Sequence, residues 1–220
     1  MHTGDLDLAQ FQSVSVAVDD AMPPVLDSLR AVDPTFREVP HAADGRRASC
    51  YSSRSGFRVE FLTPNTGSDD HQDSPAPMPA VGGASAQPLR FLDFLIHEPV
   101  RAVLLHRAGV PVLVPAPERY AVHKLIVGSR GRDDQDGTAK SQKDRLQAKT
   151  LMEAMIALRR NADLAEAYVE AWGRGPAWRE AIETSLTSFD EKTREGIYLG
   201  LSVGVERLGL EPRDHGLTGS

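Results

Sequence analysis

The sequence predicts an α+β fold, a small mixed or antiparallel sheet with an N-terminal helix, followed by a C-terminal half that is almost wholly helical. Three observations carry this. Short runs of Val, Leu, Ile and Phe alternate with polar residues through the first half, at the period of strands. Beyond Pro117 the apolar residues recur at steps of three and four, the helical period. Pro115 and Pro117 stand where one pattern gives way to the other, and proline is welcome in a helix's first turn. The chain accordingly divides into a mixed domain over 1–115 and a helical domain over 116–212.

Taken in order, residues 5–18 read as one strand or two short ones, on Leu6, Leu8, Val14, Val16 and Val18. Asp19, Asp20 and Pro23-Pro24 open a helix whose apolar face is Val25, Leu26 and Leu29, ending near Asp33-Pro34. Runs 48–53 and 57–63 form a hairpin turning at Ser55-Gly56. Phe57, Val59 and Phe61 share one face of its second strand, with Arg58, Glu60 and Leu62 on the other. Residues 64–88 are rich in Pro, Gly, Asp and Ser and read as a long, mobile surface loop. Its Asp69, Asp70, His71 and Asp73 belong to that solvated loop, and Gly82-Gly83 follows no strand. Strands resume at Leu92–Ile96, Val100–Leu105 and Val110–Val114 as an antiparallel meander. Helices are expected over 117–129, 138–160, 162–172, 175–187 and 190–208, punctuated by Gly131, Gly137, Gly173, Gly175 and Pro176.

The most telling feature is Gly4-Asp5-Leu6-Asp7-Leu8. On a strand Asp5 and Asp7 share one face, and Leu6 and Leu8 turn the other way into apolar packing. Two carboxylates side by side repel unless a cation lies between them. Oxygen ligands on stiff backbone suit Mg²⁺, which takes one or two carboxylates and completes its shell with water and phosphate. A plain acidic surface strand has the same pattern.

Two helices carry charge where a core is due. In Pro117–Val127, Lys124 borders the stripe of Ala121, Val122, Leu125 and Ile126, so it either snorkels to water or reaches a phosphate. In the next helix the stripe runs back from Leu158 through Met155, Leu151 and Ala148 to Asp144. A carboxylate there needs a cationic or hydrogen-bonding partner; Lys140, one turn back, is one choice, with the helix N-terminus helping. Between the helices, Gly128-Ser129-Arg130-Gly131-Arg132 is a short basic loop, suited to phosphate or simply to solvent.

Composition narrows the alternatives. A net charge of −6 argues against general DNA binding. A single cysteine, Cys50, allows no intramolecular disulfide and no multi-cysteine zinc site. No apolar run is long enough for a bilayer and no secretory leader is visible, so no membrane partner and a cytoplasmic location are expected. There is no Walker loop, no G-x-G-x-x-G after a strand and no H-E-x-x-H.

Asp5-Leu6-Asp7-Leu8 followed by Val59-Glu60-Phe61 resembles the acidic strands of the DNA polymerase beta-like nucleotidyltransferase superfamily. The segments Leu89–Ile96, Val114–Leu125 with its P-E-x-x-x-x-x-K helix, and Lys143–Ala148 resemble a bacterial nucleotidyltransferase-fold group similar in layout to abortive-infection toxins. The resemblance implies Asp5, Asp7 and Glu60 as catalytic ligands of Mg²⁺ or Mn²⁺, with Glu60 as general base or ligand of one ion. It implies NTP as substrate, Lys124 on the triphosphate, and Arg130, Lys143 and Asp144 closing the nucleotide site from the helical half. It also implies a Gly-Ser turn upstream of the acidic strand, whereas only Met1, His2 and Thr3 precede Gly4 here. Two functions follow: transfer of an NMP group to a protein, RNA or small molecule, or a non-catalytic binding module on the same fold.

Overall fold

The computed structural model describes residues 4–11, 23–41, 45, 47–65, 74–78, 82–130 and 135–218. It has two compact units, Met1–Ile96 and His97–Ser220. Mixed α+β architecture is as the patterning predicts.

The first unit contains β1 (Asp5–Ala9), α1 (Val25–Val32), β2 (Arg37–Val39), β3 (Cys50–Ser52), β4 (Arg58–Pro64), β5 (Ala76–Met78), β6 (Ala84–Leu89) and the one-turn α2 (Leu92–Leu95). The strands form one mixed sheet in the order β2-β3-β4-β6-β5, with β1 also bonded to β4. β1 runs parallel to β4 and β3 antiparallel to it, both along the same residues of β4, so they flank it on opposite edges. β6 pairs in parallel with the last three residues of β4. The predicted 48–63 hairpin is present, and Gly56 turns it at a φ of 86°.

Alternation along β4 separates two faces. Val59 and Phe61 are buried with Phe36, Tyr51, Met78, Ala84 and Ala86, and Val25, Leu26 and Leu29 of α1 pack on this layer. Leu6 and Leu8 are register partners of Val59 and Phe61 and lie on the same face, yet remain 45% and 42% exposed. They sit at the margin of the layer, outside its buried cluster, rather than deep in apolar packing as expected.

Two expectations for this half are corrected. The stretch 64–88 contains β5 and β6, and Ala84, Ser85 and Ala86 are buried. Small residues fit a strand enclosed between β4 and β5, and an apolar count undervalues them. Gly82 enters that strand at a φ of 54°, with its carbonyl accepting from the Val25 amide at 3.4 Å; a side chain here would strike the Pro23 carbonyl. Leu92–Leu95 is helical rather than a strand, entered through a left-handed Phe91, because a short apolar run carries no period of its own. Val14, Val16 and Val18, and the Asp69, Asp70, His71, Asp73 group, lie outside the described residues.

The second unit begins with a separate two-stranded sheet, β7 (Val100–Leu104) against β8 (Val110–Val114), so the expected three-strand meander reduces to a hairpin. There follow α3 (Pro117–Gly128), α4 (Gln135–Ala157), α5 (Asn161–Gly173), α6 (Pro176–Thr187) and α7 (Glu191–Arg207), each within three residues of its predicted span, and a 3-10 turn at Pro212–His215. α3 is central and packs on α4, α5 and α6. Leu125, Ile126, Leu164, Tyr168, Ile182, Leu186, Ile197 and Leu201 are fully buried. The buried Ser185 hydroxyl donates to the Leu125 carbonyl at 2.6 Å and ties α6 to α3. Asp190 caps α7 by accepting from the Thr193 amide at 3.0 Å. Among the described residues no helix is long and apolar enough to cross a membrane.

α5 and α7 cross at Gly204, where any Cβ would meet the Asn161 carbonyl and the Ala165 methyl. Asn161 itself donates to the Gly200 carbonyl at 2.8 Å. Alanine favours helix by up to about 1 kcal/mol over glycine, but overpacking costs about 1–3 kcal/mol. Gly204→Ala is therefore expected to destabilise the chain in urea unfolding despite its better helix propensity, whereas Gly196→Ala, with open space around it, should not.

Candidate active site

Parallel pairing sets the acidic face. In the β1–β4 register Asp5 lies opposite Arg58 and Asp7 opposite Glu60. In the β3–β4 register Cys50 lies opposite Glu60. Register partners point to the same side, so Asp5, Asp7, Cys50, Arg58 and Glu60 share the face that Val59 and Phe61 avoid. The sequence therefore brings its three proposed carboxylates to one side of one sheet.

The face has a resident cation. Arg58 Nη2 is 2.7 Å from Glu60 Oε1. The same guanidinium donates to Cys50 Sγ from Nε at 3.4 Å and Nη2 at 3.3 Å, and the thiol donates to Glu60 Oε1 at 3.8 Å. Burial pushes the Cys50 thiol up and outweighs the lowering by Arg58, so it is a neutral donor near pH 7. The contacts with Cys50 first, then the charges of Glu60 and Asp5, hold Arg58 firmly protonated. Among the described residues no three His, Cys, Asp or Glu side chains are grouped so as to hold an ion. The donor chemistry nonetheless fits a hard divalent cation: carboxylate oxygens on paired strands, one of them already drawn to a positive charge.

The second unit holds the other predicted residues. Asp144 is 4% exposed on the inner face of α4, in line with Ser141, Ala148, Met152 and Met155. Its partner is Lys124 of α3, with Nζ 2.6 Å from Asp144 Oδ1, and not Lys140, which is exposed. The Lys124 ammonium also lies 5.3 Å from the centre of the Tyr120 ring. Of the predicted stripe, Leu151 is only partly buried and Leu158 lies past the helix end, 72% exposed. Lys143 and Arg130 are exposed. Gly128 is not loop but the buried last residue of α3, and its carbonyl accepts from Arg145 Nε at 2.9 Å. A Cβ on Gly128 would press on the Arg145 side chain, so α3 and α4 approach closely at this end.

Arg119 escaped the sequence reading. It is buried on α3, with Nη2 2.7 Å from Glu170 Oε2 of α5 and 3.7 Å from Glu98 Oε2. Glu170 also receives Arg174 at 2.7 Å. Burial pushes the Glu170 carboxyl up, but the hydrogen bonds and charges of Arg119 and Arg174 outweigh it and leave it below the ordinary value. This pair fixes the rotation of the helix that presents Lys124. Arg119 stands three residues before Val122, on the helical step of the apolar stripe, and that placement was the only signal. Arg58 carried a better one: two residues from Glu60, it had to share its face.

A parallel acidic strand on the central strand of a small mixed sheet, followed by a helical unit, is the layout that the sequence resemblance implies for a nucleotidyltransferase-like protein. A nucleotidyltransferase family profile matches residues 1–173, and the chain belongs to that family. No curated protein and no solved structure matches it.

Two tests address the helical unit. Asp144→Ala strands a mostly buried ammonium and is expected to cost about 3 kcal/mol. Lys124→Met combined with Asp144→Leu should cost less than the two single changes summed, read from urea unfolding as a double-mutant cycle. Glu170, with its folded pKa depressed, contributes stability that is fully present above its unfolded value of about 4.3 and is lost as pH falls through the lower folded value. Glu170→Gln should therefore lower stability at pH 7 and converge towards the parent chain below about pH 4.

Proposed function

We propose that this chain transfers an NMP group from an NTP to an acceptor hydroxyl with the help of Mg²⁺ or Mn²⁺. The observation supporting this most directly is the β1–β4 register, which pairs Asp7 with Glu60 and keeps Asp5 on their side, inside the stretch matched by the family. Asp5 and Asp7 are the oxygen ligands. Divalent ions, when bound, neutralise phosphate charge and acidify a coordinated hydroxyl. Glu60 takes the acceptor's proton or ligates one ion. The acceptor oxygen forms a bond to the α-phosphorus, the bond from that phosphorus to the bridging oxygen breaks, and pyrophosphate leaves with the electron pair.

Lys124 is assigned to the triphosphate on the family resemblance. An ammonium has three donors, and Asp144 takes one of them, which restricts the side chain while leaving others for phosphate oxygens. Asp144 is thus the partner that holds Lys124, with Arg130 and Lys143 as exposed positive charges for the same anion. The acceptor is a protein, an RNA or a small molecule bearing a hydroxyl.

The experiment incubates the chain with each α-labelled NTP, Mg²⁺ or Mn²⁺, and protein, RNA and metabolite fractions, reading label transfer and pyrophosphate. Asp7→Asn should lower transfer by about 100-fold or more, the penalty expected when reacting groups are misplaced. NTP binding by the parent chain with no pyrophosphate from any fraction would instead assign the fold to a binding module.

A further inference from the structure

Carboxylates gathered on one face repel one another, and a strand cannot relieve this by turning a side chain to the other side. Here Arg58 answers the repulsion. It stands two residues before Glu60 on β4, hence on the same face, and opposite Asp5 in the register of β1. Its planar fork touches Glu60 at 2.7 Å and Cys50 at 3.3 Å with the same nitrogen. A metal ion ligated by Glu60 would share that carboxylate with the guanidinium, whose positive charge 2.7 Å from Oε1 repels a second cation there. The side chain is 52% exposed, so it can swing into solvent without disturbing the core beneath Val59 and Phe61.

We infer that Arg58 is a positioning residue that competes with the divalent ion for Glu60, neutralising the acidic face while no ion is bound and releasing Glu60 when an ion arrives. This rests on the metal-bearing role given to that face above. Exposed ion pairs are weak, which suits a contact that must be broken in each loading event. Arginine rather than lysine is suited to the task because one rigid group grips Glu60 and Cys50 together.

The test is Mn²⁺ binding, followed by paramagnetic resonance of the free ion and by thermal unfolding with and without Mn²⁺. The set comprises the parent chain and Arg58→Gln, Arg58→Lys, Asp7→Asn and Glu60→Gln. Arg58→Gln should bind Mn²⁺ about three- to tenfold more tightly, in keeping with the loss of a competing pair and a repelling charge. Mn²⁺ should also raise its melting temperature by more than it raises that of the parent chain. Arg58→Lys keeps the charge but loses the double grip, and should gain about twofold. It decides the matter if the glutamine variant does not fold. Unchanged or weaker Mn²⁺ binding in the folded Arg58 variants, with binding still lost in Asp7→Asn and Glu60→Gln, overturns the role of Arg58 alone. No binding by any form, or binding indifferent to Asp7 and Glu60, overturns the metal-bearing face and the role of Arg58 with it.

Discussion

Strand β4 bonds to β1, β3 and β6, and its register with β1 is the constraint on which the first unit's chemistry depends. Side chains alternate with a period of two, so a slip of one residue would send Asp5 and Asp7 towards Val59 and Phe61 and bring Leu6 and Leu8 onto the charged side. Leu6 and Leu8, partly packed at the margin of the apolar layer, would lose that packing in such a slip, which helps to fix where the carboxylates stand. The same coupling explains how β1 can carry two charges on a sheet margin and still be held in register, since the backbone bonds from Arg58 to Gly4 at 2.9 Å and from Gln10 to Leu62 at 3.1 Å extend its pairing at both ends.

The helical unit solves a related problem by other means. Asp144 is as buried as the core residues around it, and the ion pair with Lys124 offsets the cost of that burial. The pair joins α3 to α4, and the Arg145 bond to the Gly128 carbonyl joins the same helices a turn farther along. Arg119 with Glu170 joins α3 to α5, and Ser185 with Leu125 joins it to α6. The central helix is thus fixed by polar contacts to three neighbours, beyond what packing alone requires.

Much of this was legible because it follows from period alone. The five long helices were readable from steps of three and four closed by Gly and Pro, and the β3–β4 hairpin from alternation around Ser55-Gly56. That Asp144 sits on an inward face followed from the same count; that its partner is Lys124 did not, because a helix sequence fixes neighbours along its own axis and says little about which side chain arrives from the next helix. β6 was missed because Ala84, Ser85 and Ala86 give almost no hydrophobic signal, although their smallness is what lets them be enclosed. α2 was misread because four apolar residues fit either period. Alternation put Arg58 on the face of Glu60, but its grip on Glu60 and Cys50 was not legible, because the period gives the face a side chain takes and not the neighbour it touches.

The single cysteine has a use outside chemistry at the acidic face. Cys50 lies on β3, against β4, with its sulfur shielded and its thiol kept protonated. Reaction with a disulfide reagent requires a thiolate that the reagent can reach. Labelling of the native chain must therefore wait for the sulfur to be uncovered, by Arg58 and Glu60 moving aside or by β3 parting from β4, so the labelling rate at fixed pH measures how often that happens. No engineered probe is needed, and no second thiol complicates the signal.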